Sequence, residues 1–402
     1  MSVKVELGFT ADGAGGPFFT LDDPVLGKLD DPNVFLGGGE VFVDVSQYFR
    51  ALSINRGKSR ELDRYGAGQA VVTFDNQARV FDPTYVASPY YGQIVPKRMV
   101  RISVDNVIQY EGTVDDWNIA YEPGTNSEAA LNAFDSFSYF VSAELGTATY
   151  GVETTANRLN NLLDNLNWSQ DKRDIANTGA ILAGTAITEV KDALPIMQTV
   201  SLSEPGDLFI SKDGDVKLVG RNTAFSSSGA IFSDSGSGIP YKNIRAIYGS
   251  ELLYNVVNTF SSVGTATATN TSSVTIYGQR ALNQETYLSD TGQLEELAEY
   301  LVSRYGEPEY RFEGITVDLQ AISPVQKALV VGLELGDVVR VDFTPSKIPP
   351  ALTRYGKVIG IVMQITPNFQ EITLQLQSTQ GSLFVLDDPV FGKLDAGNIL
   401  GW

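Results

Sequence analysis

Residues Met99–Trp117 read MVRISVDNVIQYEGTVDDW. Two runs rich in Val and Ile meet at Asp105-Asn106, a dipeptide suited to a tight turn. The pattern predicts strands over Met99–Val104 and Val107–Trp117 joined as a β-hairpin. The same alternating or short apolar runs recur on both sides: Val3–Phe9, Val41–Val45, Phe49–Arg56, Gln69–Asp75 and Ala129–Phe134. Gly, Pro, Asp and Asn bound them. The first section, residues 1–149, is therefore expected to be a β domain. It carries one long loop, 10–39, and a loop of that length in a compact domain is usually functional or covered by a partner.

The pattern changes near residue 150. In Thr155–Leu166 the residues Leu159, Leu162, Leu163 and Leu166 have the spacing of an amphipathic helix, with Thr154 or Thr155 as N-cap. A second helix is predicted from Thr188 to about Leu202, kinked or broken at Pro195. Leu208–Ser211 and Val216–Val219 flank Asp213-Gly214 and read as a hairpin. Residues 150–238 thus form a small α+β section, with Ser226–Gly229 and Ser233–Gly238 as loops.

From 239 to 382 strand patterns return at Ile244–Tyr248, Asn255–Ser261, Ser273–Gly278, Phe312–Leu319, Val338–Phe343, Lys357–Thr366 and Glu371–Gln377. One helix interrupts them near 290–305. Ser289 or Asp290 caps it, Leu294, Leu297, Ala298, Leu301 and Val302 form its apolar stripe, and Gly306 and Pro308 stop it. Residues 383–402 are a Gly-rich tail. The fold class is mainly β with an α+β insertion.

The 402-residue chain has no Cys and no His, which removes thiolate nucleophiles, imidazole bases, disulfides and the usual zinc ligands. No apolar run reaches the length of a membrane helix, and the chain enters a strand pattern at once, so neither a membrane span nor a signal peptide is expected. A formal charge of −19 opposes sequence-independent nucleic-acid binding, which depends on Lys and Arg. No cofactor or metal site is expected. KDGD at Lys212–Asp215 lacks the rest of a calcium loop. GFTADGAGG lacks the Lys-Ser/Thr of a phosphate loop. Paired acids such as Asp115-Asp116 are expected by chance among 48 carboxylates, so no enzyme is expected.

One repeat stands out. LDDPVLGKLD at Leu21–Asp30 and LDDPVFGKLD at Leu386–Asp395 differ only at Leu26 against Phe391. Asp before Pro suits a helix start, and the following Gly limits any helix to about one turn. Leu21, Pro24, Val25, Leu26 and Leu29 in one copy, and Leu386, Pro389, Val390, Phe391 and Leu394 in the other, then make a short apolar plug with an acidic collar. Such a plug cannot bury its own face and is expected to dock on a larger surface. Two like copies imply two like surfaces.

INRGKSRELDRYGAGQAVVTFDNQARVFDP (Ile54–Pro83) resembles a stretch near the N terminus of minor tail proteins of long, non-contractile-tailed bacteriophages, especially those of actinobacterial hosts. ANRLNNLLDNLNW, SLSEPGDLFISKDGDVKLVGR, YGQRALNQETYLSD, LAEYLVSRYGEPEYRF and the terminal decapeptide continue that resemblance in order. It implies a tail-tip or baseplate hub: two tube-like β-barrel domains per chain flanking a smaller domain, in a homotrimer beneath the tail tube. It further implies virion localisation after assembly in the host cytoplasm. The implied partners are the tail tube or distal tail protein, the tape measure protein and receptor-binding parts, with DNA passing through the lumen unbound. The alternatives are a distal tail protein in a hexameric ring and a host-surface glycan-binding or wall-degrading tail module.

Overall fold

The computed structural model describes residues 2–10, 40–121, 127–176, 179–220 and 227–378. The first section folds into β1 (Val3–Thr10), β2 (Glu40–Asp44), β3 (Phe49–Gly57), β4 (Gln69–Asp75), β5 (Met99–Val104), β6 (Val107–Tyr121) and β7 (Ser127–Phe134). The hairpin expected at Asp105-Asn106 is present. Both residues have positive φ, 47° and 67°, as a two-residue hairpin turn requires. Period-two alternation decides the core face: Ala70, Val72 and Phe74 of β4 are buried while their neighbours are half-exposed. Phe74, Phe81 and Trp117 stack on this face, with Phe74–Phe81 centroids 4.6 Å apart.

Asp135, just after β7, fastens the end of that strand to the β3–β4 connection and to the turn that follows it. Its carboxylate accepts the Gly68 N–H at 2.7 Å and the Phe137 N–H at 3.0 Å. Burial raises its pKa from the ordinary 3.8 to about 7, against the opposing pull of those two N–H groups. Between these values the folded chain holds a proton that the unfolded chain has lost. The proton-linked stabilisation is therefore complete below about pH 4 and lost as pH rises through about 7. Measured by denaturant titration, the wild-type stability relative to Asp135→Asn should fall across that window, by at most about 1.4 kcal/mol per pH unit. A flat difference would refute the assignment.

The first section closes with α1 (Phe137–Ser142), and the middle section holds α2 (Thr155–Asn165), α3 (Ala193–Leu202) and the hairpin of β8 (Asp207–Ile210) and β9 (Val216–Val219), besides short strands of two or three residues. Thr154 caps α2, its hydroxyl accepting the Asn157 N–H, and Leu159, Leu162 and Leu163 are buried as the spacing requires. Pro195 does not break α3. The helix starts at Ala193 rather than Thr188, which places Pro195 in the first turn, where its missing N–H costs no helical bond. Gly214 makes the hairpin turn at φ +83°.

The last section contains β10 (Ser227–Ser233), β11 (Asn243–Tyr248), β12 (Val256–Ser261), β13 (Gly264–Thr269), α4 (Thr271–Tyr277), β14 (Ala281–Glu285) and α5 (Thr291–Tyr305). It continues with β15 (Tyr310–Asp318), α6 (Pro324–Gly332), β16 (Val338–Phe343), β17 (Leu352–Thr366) and β18 (Phe369–Ser378). Two local expectations are corrected, and one helix is added. Ser226–Gly229 is not all loop, because β10 begins at Ser227 and pairs with β16. Ser273–Gly278 is helix, not strand. The Asn270 side chain caps it by accepting the Ser273 N–H, and Ile276 is 70% exposed, so its apolar run does not face a core. Helix α6 was not anticipated, although Ser323-Pro324 with Gln326 forms a full capping box.

The molecule is mainly β, built on a 13-stranded sheet in the order β11-β15-β18-β17-β3-β4-β7-β6-β5-β1-β2; β17 also pairs β16, and β16 pairs β10. The expected closed barrels are absent among the described residues. Each half is an open sheet, and the two share one hydrogen-bonded seam, β3 on β17. A smaller sheet, β13-β12-β14, packs on α5.

The two halves have the same strand order. In chain order, β1, β3, β4, β5, β6 and β7 correspond to β10, β11, β15, β16, β17 and β18. The sheets run β1-β5-β6-β7-β4-β3 and β10-β16-β17-β18-β15-β11. The registers agree as well. Thr113 sits opposite Met99 as Lys357 sits opposite Val338. The β6–β7 ladder slips between Val114 and Asp116, and the β17–β18 ladder slips between Val358 and Gly360, the equivalent place. Two strands depart: β2 extends the first sheet beyond β1 with no counterpart in the second, and β1 runs antiparallel to β5, whereas β10 runs parallel to β16.

Candidate functional site: the junction of the two sheets

Strand β17 is long enough to serve two neighbours along one edge. Leu352–Lys357 pair with β16, and Gly360–Ile365 pair with β3. The handover needs a close backbone approach, and two glycines provide it. Gly57 ends β3 at φ +95°, and a Cβ there would run into the Ile359 carbonyl and the Leu335 side chain. A Cβ on Gly360 would lie 2.5 Å from the Lys58 carbonyl oxygen. Between them the Lys58 N–H donates to the Ile359 carbonyl at 2.8 Å.

Buried charges surround this seam and draw on all three sections. Asp207 of β8 is ion-paired with Lys357 of β17 and lies 3.7 Å from Lys58. Burial alone would raise the pKa of Asp207, but Lys357 and Lys58 outweigh it and hold the group below its usual range. With one carboxylate between two ammonium groups, Lys58 is the one pushed down, first by burial and then by Lys357, despite the pull of Asp207. Its Nζ also sits 4.7 Å from the Tyr65 ring centre. Nearby, Arg56 donates to Glu334 at 2.6 Å and to the Ile210 carbonyl at 3.2 Å, while Glu334 accepts the Lys212 N–H at 2.8 Å. On the far side Glu61 accepts from Arg304 at 2.8 Å, Gln377 at 3.1 Å and Tyr305 at 3.2 Å.

Burying so many charges adds little net stability by itself, because desolvation offsets the attraction. What it does is forbid alternative arrangements. Sliding either sheet, or lifting the β8–β9 hairpin away, would strand an unpaired buried charge. The junction therefore sets one orientation for three sections.

The described residues hold no group of three or more metal-capable side chains, and none of their helices is long and apolar enough to cross a membrane. An acidic groove is lined by β13 with Glu295, Glu299 and Glu307. The ten residues of the two decapeptide plugs, Leu21 to Leu29 and Leu386 to Leu394, lie outside the described residues. Of the acids that lie near the strands and turns read from the sequence, Asp105, Asp115, Asp116 and Glu334, Asp115 pairs with Lys97 at 2.7 Å and Asp105 accepts the Ser2 N–H at 2.8 Å. Glu334 is half-buried in the junction, where it pairs with the buried Arg56, and Asp116 is exposed. The junction residues Glu61 and Asp207 give no signal in the sequence, because a charged residue reads as surface until its partners are known.

No family model and no curated protein matches the chain. Among solved structures it is similar to a tail protein from Neisseria meningitidis MC58, with a TM-score of 0.60 at 12% identity, covering 94% of this chain and 96% of that one. It is also similar to the 43 kDa tail protein of prophage MuSo2 from Shewanella oneidensis, with a TM-score of 0.58 at 10% identity, covering 94% and 97%. The likeness is one of fold, and it extends over nearly the whole length of both chains.

Proposed function

We propose that this chain is a structural hub of a phage tail tip, of the kind found in long, non-contractile tails. Three copies would form a ring that adapts or closes the tail tube and anchors receptor-binding parts. The observation that carries this reading is the pair of sheets with one strand order, fastened rigidly within a fold shared with tail proteins. A distal tail ring needs only one such unit per chain, so the duplication favours the hub. On this reading residues 1–149 and 239–382 are the two tube-facing domains, the second completed by β10 (Ser227–Ser233) from the end of the smaller domain, 150–238, and 383–402 is a docking tail.

The work is assembly, not catalysis. Partners are the tail tube or distal tail protein, the tape measure protein and other minor tail proteins, in the virion after assembly in the host cytoplasm. An acidic lumen would let DNA pass without holding it. The decapeptides around Val25 and Val390 are proposed to clip each chain to adjoining subunits.

Negative-stain imaging of the purified assembly tests the hub, with threefold rings expected. Sixfold rings of single chains would favour the distal tail protein. Deletion of Leu386–Trp402 should leave a folded chain, judged by circular dichroism, that enters tails poorly. Normal tails containing the truncated chain would refute the docking role.

A further inference from the structure

The seam within the chain has a counterpart at its surface. Matching registers place β17 on β6 with an offset of 244, so Ile361, Met363 and Ile365 fall on Trp117, Ile119 and Tyr121. They place β3 on β11 with an offset of 192 over Ala51–Ser53 and Asn243–Arg245; the slip that follows skips one residue of β15, Glu313, and none of β11, so the same offset carried along β11 puts Leu52 and Arg56 on Ile244 and Tyr248, and Gly57 on Gly249. In β17 the edge Gly360–Ile365 is covered by β3. In β6 the equivalent edge, Asp116–Tyr121, pairs with no strand among the described residues, since β5 ends its pairing at Thr113. In β11 the edge equivalent to the one β3 gives to β17 is likewise unpaired among the described residues.

Burial follows the same division. Ile365 is 2% exposed and Arg56 4%, whereas their counterparts Tyr121 and Tyr248 are 55% and 67% exposed. Two large aromatic side chains thus stand open at the places that are buried in the internal seam. An unpaired edge with open apolar residues is a ready site for strand addition.

We infer that β11 of one copy adds to the Asp116–Tyr121 edge of β6 in a second copy, antiparallel, repeating the internal seam between chains. The register follows from the offsets: Tyr248 opposite Trp117, Ile247 opposite Asn118, Ala246 opposite Ile119, Arg245 opposite Ala120 and Ile244 opposite Tyr121, with Gly249 at the handover. The contact is heterologous, because each copy offers β11 on one side and β6 on the other. Such contacts close into a ring when their rotation permits. Internal and external seams then alternate around that ring, so three copies present six similar sheets. The occupant is a second copy of this chain because its edge already matches, position by position, the strand that fills the equivalent site. This inference rests on the hub reading for the number of copies but not for the pairing itself.

The chain lacks cysteine, so engineered pairs report without background. Asn118→Cys with Ile247→Cys, oxidised in the assembled protein, should give inter-chain disulfides and, on a closed threefold ring, a covalent ladder ending at three chains. Each single substitution should give no ladder, and Asn118→Cys with Arg245→Cys should cross-link at least several-fold less, because it is off register. Asn55→Cys with Val362→Cys, the equivalent internal pair, should close within one chain and shows that the folded seam tolerates the chemistry. Threefold rings by imaging without the ladder would overturn the pairing and leave the hub. A ladder ending at six chains would keep the pairing and overturn the threefold hub. A chain that remains monomeric and unlinked at its highest attainable concentration would count against both.

Discussion

Asp207→Ala is expected to destabilise the protein by about 3–5 kcal/mol, the cost of leaving buried charge without its partner. Asp207 lies at the base of the junction with Lys357 against it and Lys58 at 3.7 Å. Removing the carboxylate leaves two buried ammonium groups facing each other. The lysines are not equivalent in this respect. Lys58→Met should change stability by no more than about 1 kcal/mol, because burial already works against its charge and Asp207 keeps Lys357. Urea titration reads both variants, with the loss appearing in the midpoint rather than the slope. Asp207→Ala within about 1 kcal/mol of wild type would mean that the charges are solvated and that the junction is looser than described.

The second large effect is expected at Gly57→Ala, with a loss of about 2–4 kcal/mol. A side chain at φ +95° is strained in any surroundings, and here the new Cβ also meets the Ile359 carbonyl. That carbonyl cannot withdraw without breaking its bond from the Lys58 N–H. Gly92→Ala supplies the comparison. Gly92 also has positive φ, 79°, but nothing lies within 4 Å of its added Cβ, so only the backbone strain of about 1 kcal/mol should appear. Equal losses at the two positions would show that the seam imposes no steric demand. If instead the sheets separate in Gly57→Ala, unfolding should split into two transitions.

Much of the secondary structure was legible from local pattern. Strands β3 to β7 carry alternating or short apolar runs whose limits match the observed ones within a few residues, and Asp105-Asn106 announced its turn. Helix α5 was readable from Asp290 at one end, Gly306 at the other and the leucines between them. Local pattern misled where two local preferences competed. Ser273–Gly278 is β-prone in composition, yet the cap at Asn270 and the lack of a core to face made it helical. Pro195 reads as a kink or break because local pattern does not give its distance from the helix start at Ala193.

The amino-acid sequence by itself determined that strands dominate and where most of them lie. These follow from residue periodicity and turn chemistry, which act over a few neighbours. Only the tertiary structure decided that the two β sections share one strand order, that they stay open rather than closing as barrels, and that β3 crosses onto β17. It also decided which of the 48 carboxylates became buried keystones. Strand pairing and charge burial depend on partners that lie up to 316 residues away, as Glu61 and Gln377 do. No local preference carries the identity of so distant a partner.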